Sequence, residues 1–227
     1  MRYLYVVMFI LLFVQAMSLI AVCADKSHSE LSIIELEKQA ATSAEAQYDL
    51  GLRYRTGMGV EQNFQEAVKW FLRSSKKGNG CAQYQLGYCY FYGLGVTQNY
   101  DDAVKWYTAS AKQGNDCAQY SLGNCYQNGY GVDQNYKEAV KWYNFAAEQG
   151  NSLAQYYLAS SYFLGQGILP SNEKAYFWWF IASTNDKSDL YKSSIAYRDI
   201  AEGKLSKEQI TVIQRDAQEW LEKHKSD

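Results

Sequence analysis

Apolar and small residues recur along the middle of this chain at helical spacing. Ala46, Leu50, Gly51 and Tyr54 fall at i, i+4, i+5 and i+8, one face of a 3.6-residue period. Polar residues fill the positions between them. The stretch ends at Gly57-Met58-Gly59, where glycine enters left-handed backbone without a Cβ clash. A second stripe follows in Ala67, Trp70, Phe71 and Ser74. It opens with Asn63, a good N-cap, with Glu66 three residues on, the spacing of a capping box. Each stripe predicts a helix, and the short glycine-bearing link predicts that the two run antiparallel.

The pattern returns three more times at a step of 36 residues. Ala46-Gln47-Tyr48 recurs as Ala82-Gln83-Tyr84, Ala118-Gln119-Tyr120 and Ala154-Gln155-Tyr156, and Leu50-Gly51 as Leu86-Gly87, Leu122-Gly123 and the variant Leu158-Ala159. Tyr54, Tyr90, Tyr126 and Tyr162 keep step, as do glycine pairs at 57/59, 93/95, 129/131 and 165/167. The second stripe recurs from Ala103, Ala139 and Ala175, and Asn99 with Asp102 and Asn135 with Glu138 repeat the cap. Small residues at Gly51 and Ala67 predict close approach of the paired helices. Residues 44–185 are therefore four repeats.

The flanks read as caps. Residues 25–43 form an expected N-terminal capping helix, with Ser27 and Glu30 one step before Asn63 and Glu66, and Leu31 and Ile34 one step before Ala67 and Trp70. Residues 186–227 hold the expected C-terminal capping helices. There Ser206 and Gln209 open a last helix with Ile210, Ile213, Ala217, Trp220 and Leu221 on one face. Stacked repeats leave an apolar face at each end, which polar-backed helices close.

Residues 1–24 are of another kind. Arg2 precedes an unbroken apolar run from Leu4 to Val14, and Ala21-Val22-Cys23-Ala24 sets small residues ahead of Asp25-Lys26-Ser27. This is the pattern of a signal peptide cut after Ala24, which places the mature protein in the periplasm or outside the cell. Two alternatives stand beside it. Residues 4–24 are long enough to anchor the protein in a membrane, though Gln15 and Ser18 interrupt them. Cys23 in Ile20-Ala21-Val22-Cys23 resembles a lipidation site, with Val22 where a smaller residue is usual. With the signal removed, no further segment is apolar and long enough to cross a bilayer.

Composition narrows the function classes. With 48% hydrophobic and 20% charged residues among 227, the protein can bury a core and is not of disordered type. A net charge of −2 offers no electrostatic case for nucleic acid. The two histidines, His28 and His224, sit near opposite ends and serve hydrolytic chemistry poorly. No cofactor is expected. Nor is a metal, because Cys81/Cys89 and Cys117/Cys125 lack the short spacing of a ligand pair. Helix geometry speaks against a bridge inside one helix, since eight residues rise about 12 Å and a disulfide needs Cα atoms within about 7 Å. A bridge between the equivalent Cys81 and Cys117 is left open by export. Cys89 and Cys125 read as small buried hydrophobes.

Ala82-Gln83-Tyr84, Leu86-Gly87, Tyr90, Gly93, Gly95-Val96, Ala103-Val104-Lys105-Trp106-Tyr107, Ala111 and Gly114, with their equivalents, resemble the Sel-1-like repeat family, relatives of the tetratricopeptide repeats. The resemblance covers residues 44–185, and residues 186–224 are similar to the tail that closes bacterial members. It implies an all-α fold: a right-handed α/α superhelix of antiparallel helix pairs with N- and C-terminal capping helices. It also implies a non-catalytic, exported scaffold for a protein or peptide partner, with a monomer favoured. The first helix of each pair is then expected to line a concave groove. The groove candidates are Tyr48, Leu52, Arg55, Tyr84, Tyr88, Phe91, Tyr92, Tyr120, Asn124, Gln127, Tyr156 and Phe163. Aromatic surface with little charge suits a peptide segment. For Tyr48, Tyr84, Tyr120 and Tyr156, which recur in every repeat, packing between repeats is the competing role. Tyr88, Phe91 and Tyr92 vary from repeat to repeat.

Two other classes remain. Related cysteine-rich repeat proteins have been linked to β-lactam hydrolysis, and Ser74-Ser75-Lys76-Lys77 fits Ser-x-x-Lys while Arg55-Thr56-Gly57 loosely resembles Lys-Thr-Gly. Against a hydrolase stand the position of Ser74 on a buried stripe and the lack of a Ser-Asp-Asn element. The third class is a structural component of an envelope assembly, docked through its end caps.

Overall fold

The computed structural model describes residues 32–185 and 190–224. Among these residues there are eleven helices and no strand: α1 (Ile33–Gln39), α2 (Ala44–Thr56), α3 (Phe64–Lys76), α4 (Gly80–Tyr92), α5 (Tyr100–Ala111), α6 (Asp116–Asn128), α7 (Tyr136–Glu148), α8 (Ser152–Leu164), α9 (Asn172–Ala182), α10 (Tyr191–Glu202) and α11 (Lys207–Lys223). They fall into two compact units, one ending at Ser110 and one beginning at Ala111. In the first, α1 packs on α2, α2 on α3 and α3 on α4. In the second, α6 packs on α7, α7 on α8, α8 on α9, and α9 on both α10 and α11.

Each repeat is one hairpin, closed by a hydrogen bond at its turn and, in the first two repeats, by a serine hydroxyl at its open end. At the turn, the first helix stops on a left-handed glycine, Gly57, Gly93, Gly129 or Gly165. The backbone then returns so that the Asn63 N–H donates to the Tyr54 carbonyl at 2.7 Å, Asn99 to Tyr90 at 2.9 Å, Asn135 to Tyr126 at 2.8 Å and Ser171 to Tyr162 at 3.0 Å. At the open end, the Ser74 hydroxyl donates to the Ala44 carbonyl at 2.6 Å and Ser110 to Gly80 at 2.7 Å. The end of the second helix thus meets the start of the first. The pairs are antiparallel.

Between those ends the helices touch where sequence placed glycine. A Cβ built on Gly51 would lie 2.5 Å from Phe71 Cδ1, on Gly87 2.5 Å from Tyr107 Cδ1, and on Gly123 2.7 Å from Tyr143 Cδ1. These rings are fully or almost fully buried. The second glycine of the turn serves a different contact. A Cβ on Gly95 would collide with the backbone of Phe64, and one on Gly167 with that of Tyr136, in each case the first residue of the preceding repeat's second helix. In three of the four Ala-Gln-Tyr copies the glutamine also reaches backward. Gln47 donates to the Ala40 carbonyl at 2.7 Å, Gln119 to Ala111 at 3.2 Å and Gln155 to Ala147 at 3.2 Å.

Two local expectations need correction. The carboxylates of Glu66 and Glu138 do not complete capping boxes, and that of Asp102 accepts from the Asn99 side-chain amide at 2.8 Å. Asn63, Asn99 and Asn135 accept the helix N–H as expected, but the carboxylates pair with Lys69, Lys105 and Lys141 at 2.5, 3.0 and 3.2 Å. A lysine one turn further on offers a charge where the cap offers only a neutral N–H. Full reciprocal boxes occur at Ser32/Glu35 and Ser206/Gln209. The N-terminal cap also sits in another register. Leu36 and Ala40 are buried, whereas Ile34 is 75% exposed, because the helix starts from Ser32. Ser27, Glu30 and Leu31 lie outside the described residues. The final helix is as expected, with Ile213 and Ala217 buried and Ile210, Trp220 and Leu221 packed at the edge of the same core.

Alanine at Gly57, where φ is +78° and the nearest atom lies 3.5 Å away, carries only backbone strain, about 1–2 kcal/mol. Alanine at Gly95 meets the same strain plus the Phe64 backbone, adding about 1–3 kcal/mol by overpacking. Urea unfolding should therefore rank wild type above Gly57→Ala and both above Gly95→Ala, with Gly87→Ala losing about 1–3 kcal/mol against the Tyr107 ring.

Candidate partner-binding surface

The twelve candidate residues divide by burial. In the first repeat, Tyr48, Leu52 and Arg55 are inside, at 3%, 8% and 7% exposure. Tyr48 lies 6.1 Å from Phe71, Tyr84 5.9 Å from Tyr107 and Tyr120 6.0 Å from Tyr143, all between ring centroids. The recurring tyrosine of the first helix thus packs against the aromatic residue of its own second helix. The third position of the groove series also faces that ring in the later repeats. Phe91 is 6.4 Å from Tyr107, Phe163 is 5.4 Å from Trp179, and Gln127 accepts the Tyr143 hydroxyl at 2.8 Å.

A run of half-buried rings lies along one helix of the first unit. On α4, Tyr84 contacts Tyr88 at 6.5 Å, Tyr88 contacts Tyr92 at 4.5 Å, and Tyr92 contacts Phe91 at 5.0 Å. Tyr100, which the sequence reading passed over, extends the run against Phe91 at 5.0 Å. Burial raises the Tyr88 hydroxyl above its ordinary pKa, with the Arg55 charge acting in the opposite direction. Gln85 was also missed. It is buried, and its Oε1 accepts from Arg55 Nη1 at 3.0 Å, joining the first helices of two successive repeats. The signal was available in the residue after each Ala-Gln-Tyr, which changes from Asp49 to Gln85, Ser121 and Tyr157.

In the second unit the candidates are half-buried as well. Tyr120 and Tyr156 each contact Tyr157, at 5.8 and 5.4 Å. Tyr197 of α10 meets Tyr156 at 6.0 Å and stacks on Trp179 at 5.4 Å, while Lys204 Nζ lies 4.1 Å from the Phe163 ring centroid. The C-terminal helices thus occupy the aromatic face of the fourth repeat. Asn124 is half-buried and its Oδ1 accepts from Asn128 at 2.5 Å.

The chemistry weighed in the sequence resolves into packing. Ser74, the nucleophile of the Ser-x-x-Lys reading, is fully buried and its hydroxyl is committed to the Ala44 carbonyl. Lys77 Nζ donates to the Thr42 carbonyl at 2.7 Å. The bridge left open between Cys81 and Cys117 is not formed, and Cys81, Cys89, Cys117 and Cys125 are all thiols. Cys117 Sγ instead lies 3.7 Å from Asp116 Oδ1. Burial pushes the Cys89 and Cys125 thiols up to about 12.

Comparison with known proteins bears on both fold and surface. The Sel1 repeat model matches residues 44–79, 82–115, 118–151 and 152–186. The crystal structure of a Sel1 repeat protein from Oxalobacter formigenes is 32% identical at a TM-score of 0.63, covering 69% of this chain and 64% of that one. The protective antigen c5321 of uropathogenic Escherichia coli, which displays an SLR fold, is 29% identical at a TM-score of 0.54, covering 84% of this chain and 48% of that one. The present sequence thus spans less than two thirds of either structure. No curated protein matches it.

The thiols give a pH signature. An unfolded thiol titrates near 9 and these folded ones at about 12, so the folded protein holds its protons more tightly between those values. Their contribution is fully present below pH 9 and is lost as pH rises toward 12. Unfolding midpoints should be flat below pH 9 and fall above it. The Cys89→Ala/Cys125→Ala double variant should lose the thiols' share of that fall and keep the share that comes from the buried tyrosines, whose hydroxyls are also raised.

Proposed function

This chain belongs to the Sel1 repeat family, and on that footing we propose that it is an exported scaffold that holds a peptide or protein partner on the aromatic face of α4. Sel1 repeat folds commonly mediate protein–protein interaction. The observation that carries the reading here is the half-buried run Tyr84, Tyr88, Tyr92 and Phe91 along one helix. Rigid aromatic side chains bury large area at little cost in rotamer entropy, and they are enriched among residues that dominate interface energies. The paired lysines and carboxylates of the second helices keep those exposed faces polar. Export is supported by the Arg2, apolar and small-residue sequence of residues 1–24.

A photo-crosslinking residue tests the surface. Placed at Tyr92, it should give discrete adducts in the envelope fraction, and placed at Leu72, on the exposed side of α3, none. The Tyr88→Ala/Phe91→Ala pair should cut those adducts by about tenfold or more, provided circular dichroism shows the variant folded. Equal adducts from positions 92 and 72 would remove the reading. The mature protein should begin at Asp25, as N-terminal sequencing of the exported form will show.

A further inference from the structure

Among the described residues, Arg55 is a buried cation with no anion beside it. It is 7% exposed. Nη1 donates to the neutral Gln85 Oε1 at 3.0 Å, the guanidinium carbon lies 5.8 Å from the centroid of the Tyr88 ring, and Nε is buried without an acceptor. No carboxylate of the described residues pairs with it. A guanidinium keeps its charge in a protein, and an ion withdrawn from water costs several kcal/mol unless an opposite charge compensates it. Its ionisable neighbours do not compensate. The Cys89 thiol is pushed up to about 12, and burial raises the Tyr88 hydroxyl, so both stay neutral at pH 7.

Packing does not explain the charge either. The equivalent positions in the other repeats are Phe91, Gln127 and Phe163, and all three meet the second-helix aromatic without one. Only the first repeat places a cation there, next to the aromatic run on α4. Resting on the reading of that run as the docking surface, we propose that Arg55 anchors a carboxylate of the partner, from an acidic side chain or a free C-terminus. Gln85 holds Nη1, and Nε is the donor left for a carboxylate oxygen. The neighbouring rings supply the apolar contact around that charged pair.

Arginine side-chain NMR of the purified protein tests the anchor at constant ionic strength. Sodium acetate and N-acetyl-Tyr-Gly-Tyr free acid should move the Arg55 Nε–H resonance saturably, and the same tripeptide as its amide should not. Saturation by inorganic phosphate alone, or no saturation by either carboxylate, overturns the assignment. Gln85→Glu sets a carboxylate beside Nη1 from within. It should raise the thermal midpoint by several degrees and abolish the acetate response; a lowered midpoint or an unchanged titration counts against the proposal. Arg55→Gln should reduce the adducts formed from position 92 by about tenfold or more. Undiminished adducts in that variant sink the anchor and leave the docking surface standing. An absence of adducts in the wild type sinks the docking surface whatever the titration shows.

Discussion

The contact between a side-chain-free glycine and a buried aromatic ring governs the distance between the two helices of a repeat. Gly51 on Phe71, Gly87 on Tyr107 and Gly123 on Tyr143 are the same contact three times. With the helices this close, the hydroxyls of Ser74 and Ser110 reach the first-helix carbonyls, and the N-cap amides reach Tyr54, Tyr90 and Tyr126. Moving the helices apart by one methyl group would stretch all of these bonds together. The fourth repeat departs from the rule, with Ala159 and Trp179 in place of glycine and the smaller ring. There the ring stacks on Tyr197 of the C-terminal helices.

The same constraint decides which aromatics are left for a partner. A ring that fills the space over glycine takes the recurring tyrosine of the first helix as its neighbour, so Tyr48, Tyr84 and Tyr120 are tied to their own hairpins. Surface is then left to residues one or two turns further along, where the repeats differ. On α4 those residues are aromatic and half-buried, whereas in the fourth repeat Lys204 lies against Phe163 and Leu164 is exposed. Recurrence marks packing, and departure from recurrence marks the candidate surface.

Charge follows the same division. The repeated lysine–carboxylate pairs lie outside, where ion pairs contribute little to stability. Arg55 lies inside with an amide and a ring for company, and that asymmetry sets the first repeat apart from the other three. Ser74 and Lys77, which read in sequence as part of a catalytic motif, hold backbone carbonyls. A four-residue match says nothing about which way a hydroxyl points.

Helix pairs, their 36-residue step, the turn glycines and the stripe facing the core were legible in the sequence because each depends on periodicity and on local backbone freedom. Local chemistry also marked the last helix, from its Ser206 box to its buried Ala217. Which polar groups are buried was not legible. Arg55 and Gln85 meet across 30 residues of sequence, the Glu66 carboxylate chose between a cap and a lysine, and Ile34 turned outward when α1 started at Ser32. Periodicity states which face of a helix is apolar. Only the packed neighbours decide what a polar group on the margin of that face will meet, because hydrogen bonds and charges act over a few ångströms and those ångströms are set by contacts distant in sequence.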